Sequence, residues 1–289
     1  MILSLVYSSL LFSPLIPTNM NQLNKQQYPP YQTNPFNTFT KNIPSIRQAI
    51  SINKRFWITL LIASIFIALL QQNKNINFDT HFIIVLFSVF IAATTGWLAH
   101  LVSHSFDFTN ALENILKHSQ TMKFLCKFKP IELALRWIFY QADFHHKIHH
   151  DSTINKKISN LITEFIQNVL TQGLGIALLF KWLGITILNN SIHFNYAAMT
   201  LYGFLYATVH NINYVFWPSK CHEEHHINEL TNFGIDFLDI LFNTKFNIQN
   251  VERVNHYSNN ISILCLLLYL IHLHINPKSS IYTFLFGNP

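Results

Sequence analysis

The chain has 289 residues, of which 50% are hydrophobic, 15% aromatic and only 11% charged. Soluble globular proteins carry about 25% charged residues, so this composition excludes an ordinary soluble domain and predicts a membrane protein. The net charge of +6 does not call for a nucleic-acid partner, because basic residues beside apolar segments orient a membrane chain and meet anionic headgroups. The three cysteines lack a CxxC spacing, and their odd number argues against a disulfide framework.

The sequence divides into three regions by composition. Residues 1–17 are apolar without a basic n-region, which disfavours a cleaved signal peptide, and residues 18–46 are rich in Asn, Gln, Pro and Tyr, which predicts a disordered tail. We therefore assign residues 1–48 to an N-terminal region and 49–250 to the main membrane domain. Residues 251–289 form an apolar C-terminal region that is expected to dock on the helices or lie in the membrane interface.

Four apolar segments predict transmembrane helices, since a bilayer core needs roughly 20 helical residues. They are Phe56–Leu70, Phe82–Leu101, Leu161–Leu188 and Phe194–Trp217. We predict an all-α integral membrane fold of about four spans, because a backbone that faces lipid must satisfy its own hydrogen bonds.

The distribution of lysine and arginine orients these spans. Basic residues concentrate before the first span, between the second and third, and after the fourth, whereas the connections 71–80 and 189–193 carry one and none. Cytoplasmic loops are enriched in Lys and Arg. We therefore expect both termini and the loop 105–160 on the cytoplasmic side, with Ser105–Lys129 forming a surface helix.

Nine histidines follow helical spacing near the ends of the apolar segments. On an α-helix, residues i, i+3 and i+4 share a face, and imidazole is the commonest side-chain metal ligand. The predicted cytoplasmic helical cap therefore carries a polyhistidine dimetal site. Its predicted ligands are His100, His104, His146, His149, His150, His210, His222, His225 and His226. In an α-helical register His145 points roughly 90° away from the arc centred on His146, so we expect it outside the ligand set.

The last histidine box and the residues after it, HEEHHINELTNFGIDFLDILFNT, resemble the closing motif of the fatty acid hydroxylase / sterol desaturase superfamily. That motif combines HxxHH with Asn-aromatic-Gly, an Asp and Leu-Phe-x-Thr, here Asn232–Gly234, Asp239, Leu241–Phe242 and Thr244. The upstream HKIHH and HLVSH resemble the second and first boxes. The resemblance covers roughly residues 95–245 and implies that residues 49–250 form a catalytic membrane domain.

Three features depart from the family pattern. The first and second boxes, which typical members place close together, are separated here by a long insertion between His104 and His146. The segment before the last box has a single histidine, His210, followed by Asn211 and Asn213, where many members carry an HxxxH. The position before the motif's Asp, usually tryptophan, is Leu238.

The resemblance also implies a chemistry. Members use O2 and reducing equivalents to hydroxylate or desaturate a fatty acyl chain, a sterol or a sphingoid base at a cytoplasmic dimetal centre. It implies two iron ions, which zinc can replace on purification, and a separate electron donor of the cytochrome b5 or ferredoxin type. The expected location is the endoplasmic reticulum or a bacterial inner membrane.

Ligating imidazoles need hydrogen-bond partners on their second nitrogens, and four residues are candidates for supporting the ligands: Asp239, Asn213, Glu164 and Asn232. Glu164 begins a polar stripe, continued by Asn168 and Gln172, on an otherwise apolar helix. It predicts either a wall of the substrate tunnel and a contact with a ligating histidine, or a side chain in the headgroup layer.

Two other kinds of protein fit the sequence. A histidine-rich metal transporter or metal-binding membrane protein would also use histidines on helices, but would need ligands near the bilayer midplane. An inert family member acting as a scaffold would not need nearly complete histidine boxes. Metal content and O2-dependent change in a lipid extract distinguish the three.

Overall fold

In a computed structural model the described residues are 35–71, 77–151, 157–188 and 192–287. The chain divides into one unit of residues 1–38 and a second of residues 39–289, and every side chain discussed below belongs to the second. The predictions for the N-terminal 34 residues, for parts of the two connections 71–80 and 189–193, and for the side chain of His146 lie outside the described part of the chain.

The described chain is mostly helical, which confirms the all-α prediction apart from one short antiparallel hairpin, β1 (Thr186–Leu188) with β2 (Ile192–His193). The helices are α1 (Pro35–Ile52), α2 (Lys54–Leu70), α3 (Phe78–Ser105), α4 (Phe108–His118), α5 (Gln120–Leu125), α6 (Lys129–Ala142), α7 (Ile158–Val169), α8 (Gly175–Trp182), α9 (Tyr196–Thr208), α10 (Tyr214–Phe216), α11 (Lys220–Ile227), α12 (Asp236–Leu241), α13 (Ser258–His274) and α14 (Ser280–Phe286). Three π-turns, π1 (His145–His149), π2 (Leu170–Leu174) and π3 (Val209–Asn213), and a 3₁₀ turn, Asn255–Tyr257, complete the described elements.

One helix of the described chain, α3, is long and apolar enough to cross a membrane. A second span is available only if the pair 42–52 and 54–70, bent by 77° at its break, acts as one. The prediction of about four spans is therefore not confirmed. The third and fourth predicted spans are each divided by a π-turn, π2 and π3, and they carry buried polar side chains such as Glu164 and Gln172.

Helix α9 forms the centre of the packed core. Its residues Ala197, Met199 and Leu205 are buried, and it packs against α3, α7 and π2. A helix that is buried on nearly all sides is expected to be apolar all round, as the sequence of α9 is. Glycines let its backbone approach π2, since a Cβ at Gly173 would lie 2.1 Å from the carbonyl oxygen of Met199.

The C-terminal region docks on the helices, one of the two predicted outcomes. Helix α13 packs along α2 and α9 and buries Ile261 and Leu268, while α14 adds Leu285 and Phe286 to the core. The insertion between the first two histidine boxes is helical, but where one helix was expected over Ser105–Lys129 the structure has two, α4 and α5, which are followed by α6. These elements place the end of α3 beside π1, π3 and α11, which carry the other histidine boxes.

Candidate metal centre

Nine described histidines from four separate elements converge on one buried site. The end of α3, π1 with the residue after it, π3 and α11 each contribute, and neighbouring imidazole rings lie with centroids 4.4–6.4 Å apart. The nine are His100, His104, His145, His149, His150, His210, His222, His225 and His226. Eight of them were predicted from the sequence.

A first group of four ligand atoms comes from His100, His104, His145 and His225, all lying within 4.8 Å of one another. His100 Nε2 and His145 Nε2 lie 2.8 Å apart. In a tetrahedral site with metal–nitrogen bonds of about 2.1 Å, ligand nitrogens stand roughly 3.4 Å apart. Small side-chain adjustments would therefore bring these four imidazoles onto one ion.

A second group contains His145, His149, His210 and the carboxylate of Glu164, again within 4.8 Å. Glu164 Oε1 lies 2.8 Å from His149 Nδ1 and 3.0 Å from His210 Nε2, and His149 Nε2 lies 3.3 Å from His210 Nε2. The polar stripe on α7 thus faces the interior, and its glutamate contacts candidate ligands. This agrees with the predicted contact between Glu164 and a ligating histidine, and not with a place in the headgroup layer.

The remaining histidines extend the second group toward α11. His149, His150 and His226 form a third set of mutually close ligand atoms. His222 joins it through His226, since their Nε2 atoms are 3.1 Å apart. Because His145 belongs to the first two groups and His149 to the last two, the three sets describe neighbouring positions in one extended site.

Hydrogen bonds from the outer nitrogens to backbone carbonyls orient two of the imidazoles. His225 Nδ1 lies 2.6 Å from the carbonyl oxygen of Thr231, and His100 Nδ1 lies 2.6 Å from that of Phe233. Carbonyl oxygens only accept, so both Nδ1 atoms carry protons and both Nε2 atoms present lone pairs. The Nε2 of His225 is buried and has no hydrogen-bond partner in the described chain. A metal ion would satisfy such a nitrogen, so the donor set fits a metal.

A short loop supplies both of those carbonyls, and a buried carboxylate holds it. Asp239 is fully buried and accepts hydrogen bonds from the backbone N–H groups of Phe233 and Gly234, each at 3.0 Å. Thr244 Oγ1 and Trp97 Nε1 also donate to it, at 2.7 and 3.2 Å. Burial raises the pKa of Asp239 to about 6, against the opposing effect of these donors.

Asn232 explains how that loop turns. Its φ of 55° lies in the left-handed region, which asparagine tolerates better than most residues. Its side chain donates to the carbonyl oxygen of Cys221 at 3.0 Å and accepts from the N–H of Phe246 at 3.1 Å. Asn232 and Asp239 therefore act on the histidines through the loop backbone, as supports and not as ligands.

Burial keeps the three imidazoles of α11 neutral. Desolvation, reinforced by neighbouring imidazoles, lowers the pKa of His225 to about 2 and that of His226 to about 4. The pKa of His222 is lowered well below its ordinary value for the same reasons. A metal ligand must be deprotonated, so at neutral pH these nitrogens are available to an ion.

His145, which was expected to lie away from the other histidines, lies among them. That expectation assumed an α-helical register, whereas His145–His149 is a π-turn, whose wider i→i+5 winding changes which side chains share a face. His145 contacts His100 and lies in both of the first two groups. The sequence held a signal for it, since His145 and His149 have the same i, i+4 spacing as His100 and His104.

Asn213 does not support a histidine, in contrast to the prediction. Its amide exchanges hydrogen bonds with that of Asn260, at 3.3 and 3.2 Å. The π-turn π3 places it three residues after His210, too few to complete a turn and return to the same face. Asn211 instead accepts from Asn168 of the polar stripe, at 3.0 Å.

A separate buried group, Cys221, Asp236 and Glu252, also brings possible ligand atoms together. The Lys245 ammonium already lies among them, donating to Asp236 and, at 2.8 Å, to Cys221 Sγ. Burial raises the pKa of the Cys221 thiol to about 12. A protonated thiol and a resident ammonium make this group a poor metal site.

A cavity of about 70 Å³ opens beside the histidines. His100, His210 and His222 line one side of it, and the rest of its wall is mainly apolar and aromatic, including Phe56 and Leu205. The ring of Tyr214 stacks on that of His222 with centroids 4.3 Å apart. An apolar group placed in this cavity would lie next to the candidate metal ligands.

Comparisons of the chain with known protein families, with curated proteins and with solved structures found no match. The resemblance to the fatty acid hydroxylase / sterol desaturase superfamily therefore remains a prediction from the motifs. The geometry of the site stands independently of it.

Proposed function

We propose that the protein is an O2-dependent membrane oxidoreductase that hydroxylates or desaturates a lipid at a dimetal centre. The observation that carries this proposal is the convergence of histidines from four elements, with the Nδ1 atoms of His100, His149 and His225 held by carbonyl or carboxylate oxygens. Such outer partners fix ring orientation and tautomer and are typical of built metal sites.

The size of the donor set favours two ions. Nine imidazoles and one carboxylate exceed the roughly four to six ligands that a single transition-metal ion accepts. The first group, around His104 and His225, and the second, around Glu164 and His210, give two neighbouring positions, and His145 can complete either of them. The choice of iron rests on the motif resemblance. The ligand types do not select it, because the Irving–Williams order favours binding of zinc over Fe(II).

The cavity beside the cluster supports an apolar substrate. An unactivated lipid C–H bond has no acidic proton, so it requires a redox metal with O2, chemistry that the bound ions would supply. The protein's own residues would position the substrate and the ligands. Leu205 and Phe56 line the cavity and would exclude water from it, while Tyr206 Oη lies 3.4 Å from His100 Nδ1. Glu164 fixes His149 and His210 relative to each other.

The position of the histidines along α3 disfavours a transporter. The middle of this helix is near residue 91, whereas His100 lies roughly 13 Å further along its axis. Transport sites lie near the bilayer midplane. An inert scaffold would not need the hydrogen bonds to backbone carbonyls that orient His100 and His225.

We also propose on which side of the membrane the histidines lie. By the distribution of basic residues, the histidine-bearing end of α3 and both termini face the cytoplasm of an endoplasmic reticulum or bacterial inner membrane. The chain has no recognisable flavin or haem motif, so the electrons would come from a partner of the cytochrome b5 or ferredoxin type.

The test combines chemistry with lipid analysis. Membranes containing the protein are supplied with a reductant system and ¹⁸O2, and their lipids are compared by mass spectrometry with those of membranes containing His225→Ala. We expect ¹⁸O in a hydroxylated lipid, or loss of two hydrogens in a desaturated one, only with the unmodified chain and only with O2. No O2-dependent difference, in a protein that retains its metal, would refute the oxidoreductase proposal.

The matched control is His274→Ala. His274 is an exposed histidine near the end of α13, outside the cluster, so its removal tests whether any histidine loss impairs the protein. We expect this variant to behave like the unmodified chain.

A further inference from the structure

The long insertion between the first two histidine boxes begins where α3 ends. At 1.5 Å per residue, the 28 residues of α3 span roughly 42 Å, close to the thickness of a bilayer with its headgroups. If α3 crosses the membrane, the chain leaves it at Phe106, at the level of the headgroups. The insertion therefore starts in the interfacial layer.

The base of the insertion is tied to this end of α3. The buried carboxylate of Asp143 accepts hydrogen bonds from the N–H groups of Phe108 and Thr109, both at 2.8 Å, and pairs with Lys147 at 2.7 Å. Leu112 of α4 is buried, and α4 packs against α6. The segment then returns through π1 to the cluster, so it cannot extend far from the membrane surface.

The tip of the insertion, defined here as residues 117–131, is strongly cationic. It contains four lysines, and the sequence has no Asp or Glu from residue 114 to residue 131. They are Lys117, Lys123, Lys127 and Lys129. Lys129 pairs with Glu132 of α6, at 2.8 Å. Each lysine close to an anionic bilayer strengthens attraction roughly fivefold.

Large apolar side chains interleave with these lysines and face outward. Phe124 is 69% exposed, Phe128 is 62% exposed, and Trp137 on the adjoining α6 is 64% exposed. The Lys127 ammonium lies 5.9 Å from the centroid of the Phe124 ring. Short helices that combine exposed aromatic side chains with lysines are typical of segments that lie in a membrane interface.

We propose that the tip, with the outer face of α6, lies in the headgroup layer of an anionic lipid leaflet and pins the histidine-bearing end of the protein to it. An acidic protein would pair with the lysines but has no need of the outward phenyl rings between them, whereas a leaflet accommodates both. The proposal rests on α3 crossing the membrane and not on the chemistry of the metal site, so either can fail alone.

The test places a bimane label on Phe124→Cys in full-length protein whose two partly exposed cysteines, Cys126 and Cys265, are replaced by serine. The protein is reconstituted into nanodiscs of phosphatidylcholine, with or without phosphatidylglycerol, that contain a lipid with a nitroxide on its headgroup. We expect strong quenching at position 124 that increases with phosphatidylglycerol. The control label, at Gln249→Cys in the exposed loop after α12, should be quenched weakly in both lipids.

Two triple variants distinguish an effect of lysine charge on the quenching from an effect of misfolding. Replacing Lys117, Lys123 and Lys127 with glutamine should abolish the phosphatidylglycerol-dependent increase, whereas arginine at the same positions should keep it. An unchanged unfolding temperature and an unchanged elution volume show that each variant is folded. Equal quenching at 124 and 249, or quenching at 124 that ignores phosphatidylglycerol, would overturn the proposal. So would protection of the label from lipid by an added acidic polypeptide, which would assign the tip to a protein partner.

Discussion

Replacement of Asp239 should weaken both the fold and the metal site, although this residue touches no histidine. Its carboxylate accepts four hydrogen bonds, from the N–H groups of Phe233 and Gly234, from Thr244 and from Trp97. Asp239→Ala removes the acceptor of the N–H groups of Phe233 and Gly234 and of the Thr244 hydroxyl, while Trp97 Nε1 keeps Thr244 Oγ1 at 3.3 Å. Each buried donor left unpaired costs about 1–3 kcal/mol.

The two possible substitutions should rank in a definite order. In Asp239→Asn one oxygen remains for Phe233, Thr244 and Trp97, but an amide N–H₂ faces the N–H of Gly234. One unpaired backbone donor lowers the free energy of unfolding by about 1–3 kcal/mol. We therefore expect Asp239→Asn to be less destabilised than Asp239→Ala. The loosened loop would also release the Phe233 carbonyl from His100 Nδ1, and removal of such an outer support lowers metal affinity roughly 10–100-fold.

Two assays on detergent-solubilised protein test this ranking: thermal unfolding of the metal-free chain, and competition with a chelator for the metal dissociation constant. Asp79→Asn, which alters an exposed aspartate in the first turn of α3, is the control and should leave both values unchanged. If Asp239→Ala unfolds at the same temperature as the unmodified chain and binds metal as tightly, the argument that the loop orients His100 is wrong.

Three further predictions concern single positions. His145→Ala should remove at least one of the two ions, measured by elemental analysis, because His145 belongs to both of the first two ligand groups; full metal content would place His145 outside the centre. Glu164→Gln should keep the fold but lower the affinity of the second ion roughly 10–100-fold, measured by chelator competition, with unchanged affinity as the contrary result. Gly173→Ala should lower the unfolding temperature markedly, because its Cβ would collide with the Met199 carbonyl; a matched Gly184→Ala, in open space with φ of 63°, should cost only about 1 kcal/mol.

The candidate ligands could be predicted from the sequence because their helical spacing is visible in it. His222, His225 and His226 do lie on a helix, α11, and the predicted set converges apart from His146, whose side chain is not described. Spacing alone could not reveal π1, because a π-turn differs from an α-turn by one residue per turn and depends on tertiary contacts. This difference is the reason why His145 was predicted to lie outside the cluster.

The supports of the ligands were only partly predictable. Asp239 was anticipated from the motif, but its route through the Phe233 backbone was not, because a carbonyl carries no residue identity in a sequence. Asn213 was chosen by proximity to His210 in the chain, and the structure pairs it with Asn260, 47 positions later. Long-range pairing of amides leaves no local pattern.

The prediction of about four spans is confirmed only in part, since one described helix, or two if the bent pair acts as one, is long and apolar enough to cross a membrane. Apolar length was a sound guide for α3, where few polar residues interrupt the pattern. It failed to anticipate the bend between α1 and α2 and the π-turns that interrupt the later helices. The polar stripe from Glu164 to Gln172 already indicated that the third segment is not a simple apolar span, since polar residues on an apolar helix face an interior site.

Metal stoichiometry tests the central claim most directly. The full-length protein is purified in detergent, loaded with Fe(II) without oxygen, freed of excess metal and analysed for iron and protein. Two ions per chain are expected, falling to one or fewer in His149→Ala, which disrupts the second group, and unchanged in His274→Ala. Fewer than half an ion per chain in a folded protein, after loading with either iron or zinc, would contradict the dimetal centre.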